Sequence, residues 1–324
     1  MKLRHFLQFV APSAVLMLAL LALPLCVTLW LSLRSCVPEL ELVTVQQSGP
    51  FGAQTVVTQR ARVDASGTPI ESCRFVGTEQ YRSVLGLGTT EAGGDSEFLG
   101  ALAFTLAYTF VTLPFILGGG LALALAMNRV TRRLRGAFIA ASLLPFIITP
   151  VVGALAIKWL FRDNGLVPQL LAHVGVQVFW MAQAWSAQLL IVLYGVWHVL
   201  PFAFIVLFAG LQSVPRDAIE AAQLDGATRW QILRFVTVPH LAPLLVFITL
   251  IHVMDAYRVF EPVLVLTQGT FTASVQYLTY TVLLQENNPY KASAAAVLTV
   301  LGIAVLLIPL LRRTWREQRG GQAS

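Results

Sequence analysis

Charge is what this chain has least of. Lys, Arg, Asp and Glu together make up 12% of its 324 residues, about half the share of an ordinary soluble domain, which argues against a water-exposed globule of this size. Lysine is scarcest: Lys2, Lys158 and Lys291 are the whole complement. None stands in a Gly-x-x-x-x-Gly-Lys-Ser/Thr setting, so the chain has no phosphate-cradling nucleotide loop of its own. His-Glu-x-x-His, Cys-x-x-Cys and Gly-x-Ser-x-Gly are all missing. The five histidines, His5, His173, His198, His240 and His252, are scattered without metal-ligand spacing. Catalysis by this chain, and a metal or cofactor bound to it, are therefore not expected.

Apolar residues fill the space that charge leaves. They make up 56% of the chain, and the mean hydropathy is +0.72. A spanning helix needs about 20 apolar residues, and runs of that size cover 9–33, 98–127, 137–161, 186–211, 241–266 and 291–311. The net charge of +6 could suggest nucleic acid, but the basic residues sit in short clusters beside the apolar runs, as they do when they orient a membrane protein. Outside the spans, thirteen Lys and Arg fall on the side of both termini and six on the other, while 34–97 carries eight of the sixteen acids. The fold expected is an all-α integral membrane protein of six helices with both ends in the cytoplasm. The N-terminal run is about 25 residues long with no small-x-small site after it, which reads as a retained anchor. A lipidated Cys26 is not expected either, since Leu25 precedes it. Four parts follow: 1–33 as N-terminus and first helix, 34–97 as an extracytoplasmic loop, 98–311 as a five-helix core, and 312–324 as a cytoplasmic tail.

The most informative stretch is cytoplasmic, 212–240. It reads as two short helices forming an elbow between two spans. Ser213 is placed to cap the first, with Pro215 in its first turn. Asp225-Gly226 ends it, with Gly226 left-handed. Thr228 and Gln231 form a capping box for the second, and Pro239 marks its end. Both ends are tethered to membrane helices, so a DNA-reading helix-turn-helix does not apply.

Within this elbow Glu220, Ala221, Ala222, Gly226, Val236, Val238 and Pro239 fall on the spacing Glu-Ala-Ala, three residues, Gly, nine residues, Ile-x-Leu-Pro, with Val for Ile and Leu. The sequence thereby resembles the permease subunits of ATP-binding-cassette importers, in the sugar-uptake branch related to maltose, glycerol-phosphate and trehalose systems. The resemblance covers about 230 residues. It departs at Glu261, where the family usually has Asp, and at Gln268-Gly269-Thr270, which replaces Gly-Gly-Pro. It implies the type I permease fold in a bacterial inner membrane, to which 34–97 adds a small extracytoplasmic insertion between helices 1 and 2, longer than this branch usually carries. The implied assembly has a second homologous permease subunit, two copies of a cytoplasmic ATPase that bind ATP and Mg, and an external solute-binding protein. Glu220, Ala221, Ala222, Asp225, Gly226 and Pro239 then become the ATPase-coupling residues. The plainer reading is a tidy loop held by an Arg216–Glu220 pair.

Polar residues inside spans are the candidates for a solute path: Tyr194, Trp197 and His198 on the fourth helix, and His252, Asp255 and Arg258 on the fifth. Aromatic faces with hydrogen-bonding groups suit a carbohydrate, with sugars, glycosides, polyols and phosphorylated or sulfonated relatives all open. The alternative is that these residues only pack, Asp255 and Arg258 neutralising each other. Gly118-Gly119-Gly120 reads as a helix-packing surface. An ion-coupled secondary transporter or channel, the competing class, would show more embedded acids and an internal repeat. Outside, Leu42 to Val63 reads as a hairpin. A Cys36–Cys73 bridge would hold the insertion on the oxidising side, against the alternative of two independent thiols.

Overall fold

A computed structural model describes residues 3–49, 52–64, 70–87 and 96–320. The chain divides into two compact units, Met1–Ser96 with Thr279–Leu298, and Glu97–Leu278 with Thr299–Ser324. The first begins with α1 (Leu3–Ser32), whose stretch Val10–Ser32 is apolar enough to span a membrane. Then come two antiparallel ribbons, β1 (Arg34–Pro38) with β4 (Glu71–Phe75), and β2 (Leu40–Gly49) with β3 (Gly52–Ala61). The second ribbon is the hairpin expected over 42–63, while the first pairs Cys36 directly opposite Cys73, and a disulfide joins them. Cys26 is free and exposed. The helix α2 (Glu79–Val84) closes against the end of α1, where Ser32 Oγ and Tyr81 Oη share a 2.6 Å hydrogen bond and Val76 N donates to Leu33 O at 2.9 Å.

The second unit is helical. It is built from α3 (Glu97–Met127), α4 (Arg132–Ile147), α5 (Pro150–Phe161), α6 (Leu166–His173), α7 (Ala184–Leu211), α8 (Arg216–Leu224), α9 (Arg229–Ile232) and α10 (Val238–Tyr257). The chain then runs through α11 (Val275–Leu284) into α12 (Pro289–Gly320). Among the described residues five helices are long and apolar enough to cross a membrane, or six if one bent pair counts as a single span.

That bent pair corrects the expected third span. The apolar run 137–161 is not one helix: the two arms meet at 95° between Ile147 and Pro150. Pro150 forces the residue before it out of helical geometry, and Thr149 sits at ψ 142°, with Ile148 at ψ 133°. The expected fifth span, 241–266, is shifted as well. Its helix is continuous from Arg229 and ends at Tyr257, and the expected end at Pro239 does not occur. Proline has no N–H for the bond a regular helix needs there. The turn just before it widens instead into a π turn, Leu233–Thr237, where Val238 N donates to Leu233 O, and Pro239 is carried in the first turn of α10. Ser213 is a third correction: Pro215 stands at the N-cap of α8, and Ser213 Oγ donates to Gly210 O and contacts His240 Nε2 at 3.2 Å.

The central packing joins α3 to α7. A Cβ on Gly120 would lie 2.8 Å from Ala203 Cβ and 3.1 Å from Phe204 N, whereas one on Gly118 would meet nothing within 4 Å. Only part of the glycine triplet therefore sets the approach of the two helices. Thr105, Thr109 and Thr112 are buried along α3, and each hydroxyl donates back to the carbonyl four residues earlier at 2.7 Å, the usual way for a hydroxyl to be satisfied in an apolar helix.

Candidate solute cavity and coupling elbow

A cavity of about 350 Å³ opens within the second unit, between α3, the α4–α5 break, α7 and α10. That is at the small end of the roughly 300–1,000 Å³ typical of ligand pockets. Five of the six residues expected on a solute path line it: Tyr194, His198, His252, Asp255 and Arg258. The periodicity explains the set. On α7 the lining positions 194, 195, 198, 199 and 202 form one stripe at 100° per residue. Trp197 lies about 60° round the helix from Tyr194, off that stripe. Its ring instead packs by Gly153 of α5, where an added Cβ would sit 3.5 Å from Trp197 Cζ3.

Several of these side chains have fixed partners. His198 Nδ1 lies 2.8 Å from the Pro145 carbonyl, and Tyr194 Oη donates to the Pro150 carbonyl at 2.8 Å. The rings of Tyr194 and His198 stack at 5.6 Å, and Phe146 packs against His198 and Phe202. These contacts span both sides of the break, so Tyr194 and His198 hold the two arms on α7 as well as facing the cavity. Lys158 of α5 is similarly committed, its Nζ donating to Val265 O at 2.7 Å. His252 is 2% exposed, with Nε2 2.9 Å from Thr112 Oγ1. Asp255 and Arg258 do not form the ion pair weighed from the sequence: among the described residues no salt bridge joins them.

Among the wall residues not singled out as solute contacts from the sequence, four carry an aromatic ring or a charge. Tyr108, Phe146 and Phe202 look like ordinary apolar helix positions, and Glu261 looked only like a departure from a familiar pattern. In the structure Tyr108 lies opposite a glycine, and a Cβ on Gly195 would collide with its hydroxyl.

The elbow is built as its local chemistry dictates. Gly226 has φ +77°, its N–H donates to Gln223 O at 3.0 Å, and Ala227 N donates to Ala222 O at 3.0 Å. Those two bonds are the paired closure of a helix end through a left-handed residue. Thr228 and Gln231 form the reciprocal capping box of α9. Glu220, Ala221 and Asp225 are exposed and Ala222 is half-buried, with Pro239 exposed at the start of α10. No ion pair joins Arg216 to Glu220 among the described residues. The elbow also shows apolar side chains that sequence reasoning passed over: Leu224 is 89% exposed, Trp230 67% and Phe235 69%.

Residues 94–318 match the family described as the binding-protein-dependent transport system inner membrane component. The trehalose transport system permease protein SugA of Mycobacterium tuberculosis is 32% identical over 323 residues, 98% of this chain and 91% of that protein. The arabinooligosaccharides transport system permease protein AraP of Halalkalibacterium halodurans is 28% identical over 255 residues, 76% of this chain and 78% of its own. Among solved structures, a bacterial alginate ABC transporter in complex with an alginate pentasaccharide-bound periplasmic protein aligns with a TM-score of 0.65. The two are 25% identical over 74% of this chain and 83% of that one.

Proposed function

This chain belongs to the family of binding-protein-dependent transport system inner membrane components, and from that premise we propose that it is the permease subunit of an ATP-driven importer of a carbohydrate-type solute. It is a multi-pass protein of the inner membrane with the importer-permease fold. The observation that carries the coupling part of the reading is the elbow: a short, doubly capped helical turn on which Glu220, Leu224 and Trp230 are all exposed. Apolar side chains that exposed on a cytoplasmic loop gain stability when covered, and a pump without its own nucleotide loop must take force from another chain. In this reading two copies of a separate ATPase bind ATP and Mg and dock on the elbow and on its counterpart in a second permease subunit. An external solute-binding protein delivers the solute.

The cavity supplies the passage. Rings from Tyr108, Tyr194 and Phe202 offer flat apolar faces, and Asp255, Arg258 and Glu261 offer hydrogen bonds within the same wall, the combination that a sugar's C–H face and hydroxyls require. The names of the relatives, for trehalose and for arabinooligosaccharides, support a carbohydrate over other solutes.

The reading is tested on the complex reconstituted in vesicles with its partner subunits and binding protein. Asp255→Ala should cut ATP-driven sugar uptake with the complex still assembled. Glu220→Ala should leave the ATPase attached while hydrolysis loses its dependence on solute and binding protein. Normal, solute-stimulated transport in both variants would remove these residues from the path and from the coupling site.

A further inference from the structure

The cavity wall has an uneven supply of hydrogen-bonding groups once the fixed bonds are subtracted. Tyr194 spends its one proton on the Pro150 carbonyl, so toward the cavity its oxygen can only accept. At His198 the Nδ1 proton is committed to the Pro145 carbonyl, because a carbonyl only accepts, and this leaves Nε2 of the neutral ring as an acceptor. Asp255 and Glu261 line the same wall, and as carboxylates they accept only. Against these acceptors stand two sources of protons: the Tyr108 hydroxyl and the Arg258 guanidinium.

From this imbalance we propose that the cavity selects a solute rich in hydrogen-bond donors and free of negative charge, that is, a neutral polyhydroxylated sugar or an amino sugar. Phosphorylated, sulfated and uronic-acid sugars are selected against. The proposal rests on the cavity being the solute path. Each hydroxyl of a neutral sugar can donate one bond to the wall and still accept from Tyr108 or Arg258. An ammonium donates three and accepts none. A phosphate or carboxylate brings acceptors to acceptors. It also brings a negative charge beside two carboxylates that a single guanidinium cannot balance.

The test uses the complete permease–ATPase complex in lipid nanodiscs with no binding protein added, so that this chain's own preference is read. Saturation-transfer NMR titrations with glucose, glucosamine and glucose 6-phosphate give the affinities. Glucose and glucosamine should bind about tenfold or more tightly than the phosphate, a gap of about 1.4 kcal/mol. The gap should narrow in the double variant Asp255→Asn, Glu261→Gln, and the single variant Glu261→Gln should narrow it in part if the double variant fails to assemble. A cavity-filling variant, Val199→Phe, separates the two ways of being wrong. Phosphate binding as strong as glucose binding, and abolished by Val199→Phe, overturns the selectivity and leaves the path standing. A gap that persists unchanged in both acid variants also overturns it. Binding of none of the three, or binding indifferent to Val199→Phe, overturns the path and the selectivity with it.

Discussion

Gly226 offers the sharpest quantitative test, because its surroundings separate two costs that are usually mixed. A Cβ placed there meets nothing within 4 Å, yet φ is +77°. Substitution therefore costs backbone conformation and no packing. A left-handed residue with a Cβ costs about 1–2 kcal/mol, while Asn visits that region with little penalty. The expected order of elbow stability is Gly, then Asn, then Ala, with Val last because its branched Cβ is a genuine outlier at positive φ. If the backbone escapes the strain by leaving φ +77°, the bonds from Gly226 N and Ala227 N, each 3.0 Å long, are lost, at about 1 kcal/mol apiece. The direction of α9 is lost with them. Co-purification of the ATPase with the permease reads attachment, and hydrogen exchange at 225–232 reads the elbow. Gly226→Asn should keep both near the parent, Gly226→Ala should weaken attachment several-fold, and Gly226→Val should release the ATPase in most of the sample. Equal effects of Asn and Val would show that the side chain itself, and not the left-handed turn, is what the partner meets, and the argument would fail.

Two glycines on opposite faces of α3 should respond with opposite sign. Gly120→Ala must push α3 from α7 by several tenths of an ångström, costing about 1–3 kcal/mol by overpacking, whereas Gly118→Ala meets open space and should gain up to about 1 kcal/mol from helix propensity. Thermal unfolding of the purified complex distinguishes them, and equal midpoints would show that the α3–α7 approach is not what the glycines serve. In the outer insertion the Cys36–Cys73 bridge closes a 37-residue separation, which on the loop-entropy account contributes about 4 kcal/mol. Mass spectrometry without reduction should find the linked peptides, and Cys36→Ser should raise protease cutting within 34–75; an unchanged digestion pattern would assign the insertion's order to its ribbons alone.

The turn of the elbow was readable in the sequence because what shapes it is local, whereas its two ends were not: Ser213 does not cap the first helix, and the second runs on past Pro239. A left-handed glycine, a Thr-x-x-Gln box and a fixed spacing require only their neighbours. The spans were readable from composition, and five cavity residues from being polar inside them. The break in the third span was not read, although Pro145 and Pro150 stand in plain view. The apolar run passes straight through Ile148, and hydropathy carries no information about ψ. Trp197 was misplaced because helical phase relative to a cavity depends on where the neighbouring helices sit. Tyr108 was missed for the same reason, since an aromatic ring in an apolar helix reads alike whether it faces lipid, protein or a void.

The π turn at Leu233–Thr237 fixes a rotational phase. It holds one residue more than a regular turn would, so every position beyond it is rotated by about 100° relative to an uninterrupted helix. His252 and Asp255 reach the cavity wall on α10 while Trp230 and Phe235 stay exposed at the other end of the same continuous helix. The elbow's outward face and the cavity's inward face are thus set against each other by a single supernumerary residue. Deleting one residue between 233 and 237 would leave composition, hydropathy and span length almost untouched, and would turn the wall of the cavity to face somewhere else.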